Sequence, residues 1–161
     1  MKIAKPLFER ELEKYDWQNL RIMCRKATHV PFALRKLIQA KTVKEVDEAY
    51  WRIENSVVVQ GGLYQAALPT IKVLLAALIG SDPPFFVKVA ALELIFQMVN
   101  GGVSAEEMEA GSHSLLEDCQ QAVREEVWLF NTKKLAENAE ATEEILDIID
   151  PDRIYLAKWI K

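Results

Sequence analysis

The sequence predicts an all-α fold made of antiparallel helix pairs. Apolar residues recur at three- or four-residue steps through most of the chain, which is the period of a helix with one buried face. Glycines and prolines lie between these periodic segments, with Pro69 as the exception. No stretch alternates apolar and polar residues as an exposed strand would. With 161 residues, half of them apolar, the chain is expected to fold as one domain over residues 1–161.

The first three predicted helices rest on apolar spacing and on capping residues. Residues 2–14 are expected to form a short capping helix. Asp16 is a suitable N-cap for a second helix that would extend through Cys24. Pro31 is placed in the first turn of the third helix, where its missing N–H leaves no bond unmade. The inward-facing residues of this third helix are expected to be Phe32, Leu34, Leu37 and Ile38.

The central helix pair is expected to join at Gln60-Gly61-Gly62. Thr42 and Glu45 form a capping box that begins the first helix of this pair. The apolar face of that helix comprises Val43, Val46, Tyr50, Ile53 and Val57. The face of the second helix comprises Leu68, Ile71, Leu75 and Leu78. The glycines allow the left-handed backbone in which one helix stops and the next doubles back, and Pro69 is expected to disturb the second helix.

The remaining helices follow a stop signal at residues 80–84. A helix over residues 85–99 is apolar nearly all round, which is typical of the centre of a bundle. Residues 103–112 are polar and acidic and are expected to form a loop or short turn. A long helix is predicted over residues 114–140, and a short one over residues 143–149.

Helix–turn–helix units return at intervals of roughly 40 residues, which is in the range of two-helix HEAT and armadillo repeats. The units cover residues 16–40, 42–80 and 83–140. An up-and-down helical bundle would also alternate helices and turns, so the spacing alone leaves both architectures open.

A longer pattern over the first half of the chain points to a family. It is a tryptophan-leucine helix, then a Val-Pro helix, then the core Q-G-x-x-Y-x-A-A-x-P-x-x-x-x-L-L. The matching residues are Trp17, Leu20, Val30, Pro31, Leu34, Leu37, Gln60, Gly61, Tyr64, Ala66, Ala67, Pro69, Leu74 and Leu75. In these residues the chain resembles a group of bacterial HEAT-like repeat proteins. The resemblance implies a right-handed α-solenoid of about three HEAT-like helical pairs that acts as a protein-binding scaffold. It also implies, for small members, immunity proteins that neutralise a cognate toxin.

Charge is distributed unevenly along the chain. The net charge of −4 divides into +4 over residues 1–50, zero over residues 51–100 and −8 over residues 101–161. The acidic third is either a solvated face or a docking surface for a basic partner, since a face of one sign steers association. No basic patch interleaved with aromatic residues is evident, so direct nucleic-acid binding is not expected.

Two groups of residues are candidates for partner binding. Beside the central turn, the candidates are Gln60, Tyr64 and Gln65, which could equally bond the turn backbone and pack on the next unit. The acidic candidates are Glu106, Glu107, Glu109, Glu137, Glu140, Glu143, Glu144 and Asp147. Residues 140, 143, 144 and 147 would share one helical face.

The sequence carries no recognisable catalytic or metal-binding motif. His29 and His113 have no ligand neighbour at helical spacing, and the glycine pairs follow helices rather than strands, unlike phosphate loops. Cys24 and Cys119 are expected to be buried, reduced thiols, and the four tryptophans to lie in the core between repeats. No catalytic residue, metal or cofactor is therefore predicted. A lyase, the enzyme alternative, would need a closed pocket with converging ionisable groups.

No secretory signal and no apolar run of about 20 residues is present, so a cytoplasmic protein without membrane contact is expected. The predicted function is that of an immunity protein, which would occlude the active site or substrate surface of a cognate bacterial toxin with a basic surface. The alternative is a general HEAT-like scaffold or regulatory adaptor without a toxin partner.

Overall fold

The computed structural model describes residues 3–160, and 64% of it is helical. Residues 1 and 2, the latter the first of the predicted capping helix, and residue 161 lie outside the described part. The helices are α1 Leu7–Leu12, α2 Val30–Ile38, α3 Val43–Val57, α4 Ala67–Gly80, α5 Phe85–Val99, α6 Ala105–Glu109, α7 Leu115–Glu125, α8 Ala139–Ile149 and α9 Ile154–Ala157. The two-residue strands are β1 Arg21–Ile22, β2 Arg25–Lys26, β3 Val58–Val59, β4 Gly62–Leu63 and β5 Gly102–Val103. The mainly helical fold is confirmed.

Helices α4 and α5 lie at the centre of the molecule. Helix α4 packs against α1, α5 and α7, while α5 also packs against α3 and α8. Ile71 and Leu74 of α4 and Leu94 and Ile95 of α5 are fully buried. Helix α5 begins and ends where its apolar run predicts, but neighbours do not cover it completely. Its residue Val89 is exposed on the side that faces α3.

The connection between α3 and α4 is a β-hairpin rather than a plain helix–helix turn. Strands β3 and β4 pair antiparallel, with Val59 opposite Gly62. The two loop residues, Gln60 and Gly61, have φ angles of 51° and 80°. Positive φ at both loop positions is typical of a type I′ turn, which matches the twist of the strands. The glycines therefore end the helix as predicted, but through a hairpin that two-residue strands are too short to reveal by periodicity.

The helix predicted from Asp16 through Cys24 is wrong. Residues 16–20 form turns, and β1 and β2 pair as a second hairpin, with Ile22 opposite Arg25. Cys24, in the hairpin loop, has a positive φ of 62°. Both hairpins are followed by a three-residue connection, residues 27–29 or 64–66, and then by a helix. A hairpin–helix unit therefore occurs twice in the first half of the chain.

The turns are stacked against each other at one edge of the helices. Strand β5 pairs parallel with β4, and the Gly102 N–H donates to the Gly61 carbonyl over 2.8 Å. A Cβ on Gly101 would lie 2.6 Å from the same oxygen, so only glycine fits at this position. The first hairpin joins the stack because the Ala66 N–H donates to the Arg21 carbonyl over 3.1 Å.

The C-terminal third differs most from the sequence prediction. The expected loop over residues 103–112 contains α6, whose N-cap Ser104 accepts a bond from the Glu107 N–H. The expected long helix over residues 114–140 is broken after Glu125 by two 3-10 turns, Val127–Asn131 and Lys133–Asn138. Three residues of the first 3-10 turn (Val127, Leu129 and Phe130) are buried. In an α-helix Val127 and Phe130, three residues apart, would share a face, but Leu129, two residues after Val127, would lie off it.

The starts of α2, α3 and α4 agree in part with the sequence predictions. Pro31 lies in the first turn of α2 as expected, but Phe32 is exposed rather than inward-facing. The Thr42 hydroxyl caps α3 by accepting from the Glu45 N–H, but the Glu45 carboxylate accepts from the Lys41 N–H and the Thr42 hydroxyl rather than from the Thr42 N–H of a closed capping box. Pro69 falls in the first turn of α4, where a backbone N–H has no helical partner, so the expected disturbance is absent.

Among the described residues, none of the helices combines the length and the apolar character that crossing a bilayer requires.

Candidate functional site

The outer face of α3 carries an exposed tryptophan, Trp51. Asp47, Trp51 and Asn55 follow one another at four-residue spacing, so each lies about 6 Å further along the helix. Trp51 is 56% exposed. Its ring meets Tyr50 edge to face, with the centroids 5.3 Å apart, which holds the indole against the helix. Two cavities meet at Trp51, one on each side of it.

The first cavity is an apolar groove between α3 and α5. Its volume is about 400 Å³. The apolar residues that line it are Val43, Val46, Tyr50, Trp51, Phe85, Phe86, Val89 and Ala90. Val43, Phe85 and Val89 are all exposed. A concave lining of mainly apolar side chains with a few polar groups at its border is common at binding sites.

Acidic side chains border this groove. Asp47 and Glu93 line it, and the lining includes no lysine or arginine. Neither carboxylate forms an ion pair with the described residues. Nearby, Oε2 of Glu54 is buried and receives no hydrogen bond. Burial raises the pKa of Tyr50, and the charges of Glu54 and Glu93 raise it further. The groove therefore combines an apolar floor with uncompensated negative charge.

The second cavity, which we call the arginine pocket, has the opposite charge. Its volume is about 440 Å³, and its lining consists of Arg25, His29, Trp51, Arg52, Asn55 and Ser56. Arg25 begins β2, directly after the left-handed Cys24, and Arg52 projects from α3. Within residues 3–160, neither guanidinium pairs with a carboxylate. No acidic residue belongs to the lining.

His29 lies in the arginine pocket and is hydrogen-bonded to Ser56. Its Nε2 is 3.0 Å from Ser56 Oγ, whose own proton is donated to the Arg52 carbonyl over 2.7 Å. The Ser56 hydroxyl must therefore accept from His29, which places the ring proton on Nε2. Burial lowers the pKa of His29, and the charges of Arg25 and Arg52 lower it further. His29 is also the N-cap residue of α2.

The candidates beside the central turn have mostly structural surroundings. Gln60 is exposed at the tip of the hairpin. Tyr64 is buried, and burial raises its pKa. The Gln65 side chain accepts a 2.9 Å bond from the Arg21 N–H, which joins the two hairpins. Of these three predicted contact residues, Gln60 alone has an exposed side chain.

Glu107, a candidate from the predicted acidic loop, is instead a buried structural carboxylate. It is only 1% exposed. Arg21 binds it through two bonds of 2.8 and 2.9 Å, and Ser112 donates a third of 2.9 Å. Burial would raise the pKa of Glu107, but the bonds from Arg21 and Ser112 lower it below its usual range. The neighbouring candidates Glu106 and Glu109 are exposed on α6.

The remaining acidic candidates lie together on and just before α8. Glu137, Glu140, Glu143, Glu144 and Asp147 are all exposed. Arg153 binds Glu143 over 2.6 Å and Asp147 over 2.7 Å, so part of the charge on this face is compensated. Helix α8 packs against α5 and α7, whereas α6 adjoins the turn stack. The predicted acidic residues therefore form two separate surfaces.

The predictions for the tryptophans and for the cysteines were each partly wrong. The tryptophan prediction placed Trp51 in the core instead of on the surface. Trp17 is buried as expected, but Trp51 and Trp159 are exposed. Cys119 is buried, whereas Cys24 is exposed. Trp51 was recognisable from the sequence, because it follows Val46 by five residues and lies off the buried face of α3. The arginine pocket was not, since Arg25 and Arg52 come from different elements.

The described residues contain no group of three or more His, Cys, Asp or Glu side chains placed to hold a metal ion. The site thus consists of an acidic apolar groove, a central tryptophan and an arginine pocket.

No family model, curated protein or solved structure matches the chain. The HEAT-like resemblance stays a prediction, and the function has to be argued from the site itself.

Proposed function

We propose that this chain binds another protein on the outer face of α3, and that it acts as an immunity protein for a toxin. The observation that carries the proposal is the exposed Trp51 at the end of an apolar groove. Tryptophan, tyrosine and arginine are the residues most enriched among those that dominate binding energy at protein interfaces. All three types meet here, and both aromatic rings are held in place by their mutual contact.

The charge around the groove suggests which partner would fit. Asp47 and Glu93 border the apolar surface, and no lysine or arginine belongs to the lining. A partner that places apolar side chains in the groove and a lysine or arginine at its border would match both features. Complementary charge mainly raises the association rate and selects the orientation of docking. The exposed acids of α8, Glu140 and Glu144 among them, would add to the attraction of a basic toxin surface.

The architecture suits occlusion rather than chemistry. A rigid helical domain bound across a basic active site or substrate surface would exclude the substrate without any reaction. The hairpin–helix unit that occurs twice supports a repeat architecture, and we extend it to the right-handed α-solenoid of about three HEAT-like pairs that the resemblance implies. In this proposal the stacked turns form one edge of the solenoid.

The experiment uses the protein encoded next to this chain. Its expression alone should arrest growth, and co-expression of this chain should restore growth through a complex detectable by size-exclusion chromatography. Trp51→Ala should weaken that complex by about 30-fold, because removing a central interface tryptophan costs about 2 kcal/mol or more. Trp159→Ala is the matched control, since it removes an equally exposed tryptophan outside the groove.

Three outcomes would count against this proposal in different ways. Failure of this chain to restore growth would reject the immunity function. Equal affinity of the Trp51→Ala and wild-type proteins would reject the α3 surface. A stable complex with housekeeping proteins that depends on Trp51, without any toxin, would favour a scaffold or regulatory adaptor instead.

A further inference from the structure

We infer that the arginine pocket receives an acidic side chain of the bound partner, so that the docking surface has two poles. The negative pole is the groove with Asp47 and Glu93, and the positive pole is the pocket with Arg25 and Arg52. Trp51 lies between them. This inference rests on the proposed function, because it concerns the chemistry of the same docked partner.

The arginines of the pocket differ from most other arginines of the protein. Arg21 and Arg35 each hold one carboxylate with two bonds, and Arg153 bridges two carboxylates. Arg25 and Arg52 have no such partner within the described part of the chain, although they line one cavity. Glu48 lies one turn before Arg52 on α3. The two side chains line a separate cavity beside α2 but form no ion pair with each other.

The pocket has the donors that a carboxylate needs. A guanidinium presents its N–H groups as a planar fork that matches the two oxygens of a carboxylate. Arg25 and Arg52 supply two such forks, and the Asn55 amide can donate from the pocket wall. Burial is the main cause that lowers the pKa of His29, and the two guanidinium charges lower it further. An arriving carboxylate would relieve this repulsion, so binding should raise the pKa of His29.

The spacing of the poles sets the kind of segment that fits. Asp47 and Asn55 are eight residues apart on α3, which corresponds to about 12 Å along the helix axis. An extended segment of about four residues covers the same distance. A partner segment with a basic residue, apolar residues and then an acidic residue would therefore match in one orientation. The reverse orientation would place like charges together at both ends, so the surface also fixes direction.

The test is a selection of random twelve-residue peptides by display on the full-length wild-type chain. Selected peptides should lose binding to Trp51→Ala, and they should carry an aspartate or glutamate on one side of their apolar residues. For one such peptide, Arg25→Glu and Arg52→Glu should each raise the Kd at least tenfold. Replacing the peptide's acidic residue by lysine should restore binding to these two variants. Arg10→Glu, an exposed arginine on α1 outside both cavities, is the control and should leave the Kd unchanged.

A second readout guards against variants that bind poorly for structural reasons. Titration of the wild-type protein by NMR should show a higher His29 pKa with the acidic peptide bound, and no change with a peptide whose acidic residue is replaced by glutamine. Peptides that depend on Trp51 but show no acidic preference would overturn this inference and leave the proposed function standing. Absence of any Trp51-dependent peptide would overturn both.

Discussion

Replacement of Glu107 by glutamine is expected to destabilise the protein strongly for a single charge removal. The buried carboxylate holds Arg21 through two bonds and Ser112 through a third. Breaking a fully buried pair costs about 3–5 kcal/mol, whereas a surface pair is worth about 1 kcal/mol or less. Glu107 is 1% exposed, but the Arg21 side chain is 38% exposed and can regain water. We therefore expect a loss of about 2 kcal/mol, between these limits.

The pH dependence of this loss has a definite sign. The pKa of Glu107 lies below its ordinary value of 4.5 in the folded protein. A lowered carboxyl pKa stabilises the folded state above the unfolded-state value and ceases to do so as the pH falls through the folded-state value. The difference between wild type and Glu107→Gln should thus be full at pH 7 and shrink below pH 4.5.

Urea unfolding followed by tryptophan fluorescence measures both effects. Glu106→Gln is the matched control, because it removes an exposed carboxylate from the same helix; it should change the free energy of unfolding by less than about 0.5 kcal/mol. A double-mutant cycle with Arg21→Gln should give a coupling of at least about 1 kcal/mol. A loss no larger than that of the control, or one that is the same at pH 4 as at pH 7, would refute the reasoning.

Two further predictions concern the turn stack and the thiols. Gly101→Ala should lower the free energy of unfolding by about 1–3 kcal/mol, since its Cβ would lie 2.6 Å from the Gly61 carbonyl oxygen, whereas Gly102→Ala, with open space around its Cβ, should cost less than half as much in the same urea titration. In the folded protein Cys24 should react with a thiol reagent within minutes, and Cys119 only after unfolding, because Cys119 is buried and burial raises its pKa to about 12. Equal loss at the two glycines, or two thiols titrated at once in native buffer, would contradict these expectations.

Helices α3 and α5 were predictable because each carries enough turns to show its period. Helix α5 has the predicted boundaries, and Thr42 marks the start of α3. The hairpins were not predictable in this way, because two-residue strands show no alternation. Their only local sign was the glycine pair at Gly61, since the other hairpin uses Cys24 in the left-handed conformation. Contacts between distant segments were also out of reach, as with Glu107 and its partner Arg21, which are 86 residues apart.

The sequence indicated binding residues that the structure shows as supports for a different surface. Gln65 bonds the Arg21 N–H, and Glu107 bonds the Arg21 side chain, so both hold the first hairpin in place. The Met23 N–H completes this attachment by donating to the Ser56 carbonyl over 3.3 Å.

That same hairpin presents Arg25 to the pocket beside α3. Two adjacent guanidinium groups repel each other, so a loosely held hairpin would let Arg25 turn away from Arg52 into water. The attachment by Gln65 and Glu107 opposes this, and the cost of bringing the charges together is met when the protein folds rather than when the partner binds. Preorganisation of this kind leaves more of the interaction energy for affinity. Glu107→Gln, which loosens the hairpin, should therefore lower the affinity of peptides that depend on the arginine pocket. It should lower the affinity of peptides that contact only the α3–α5 groove by less.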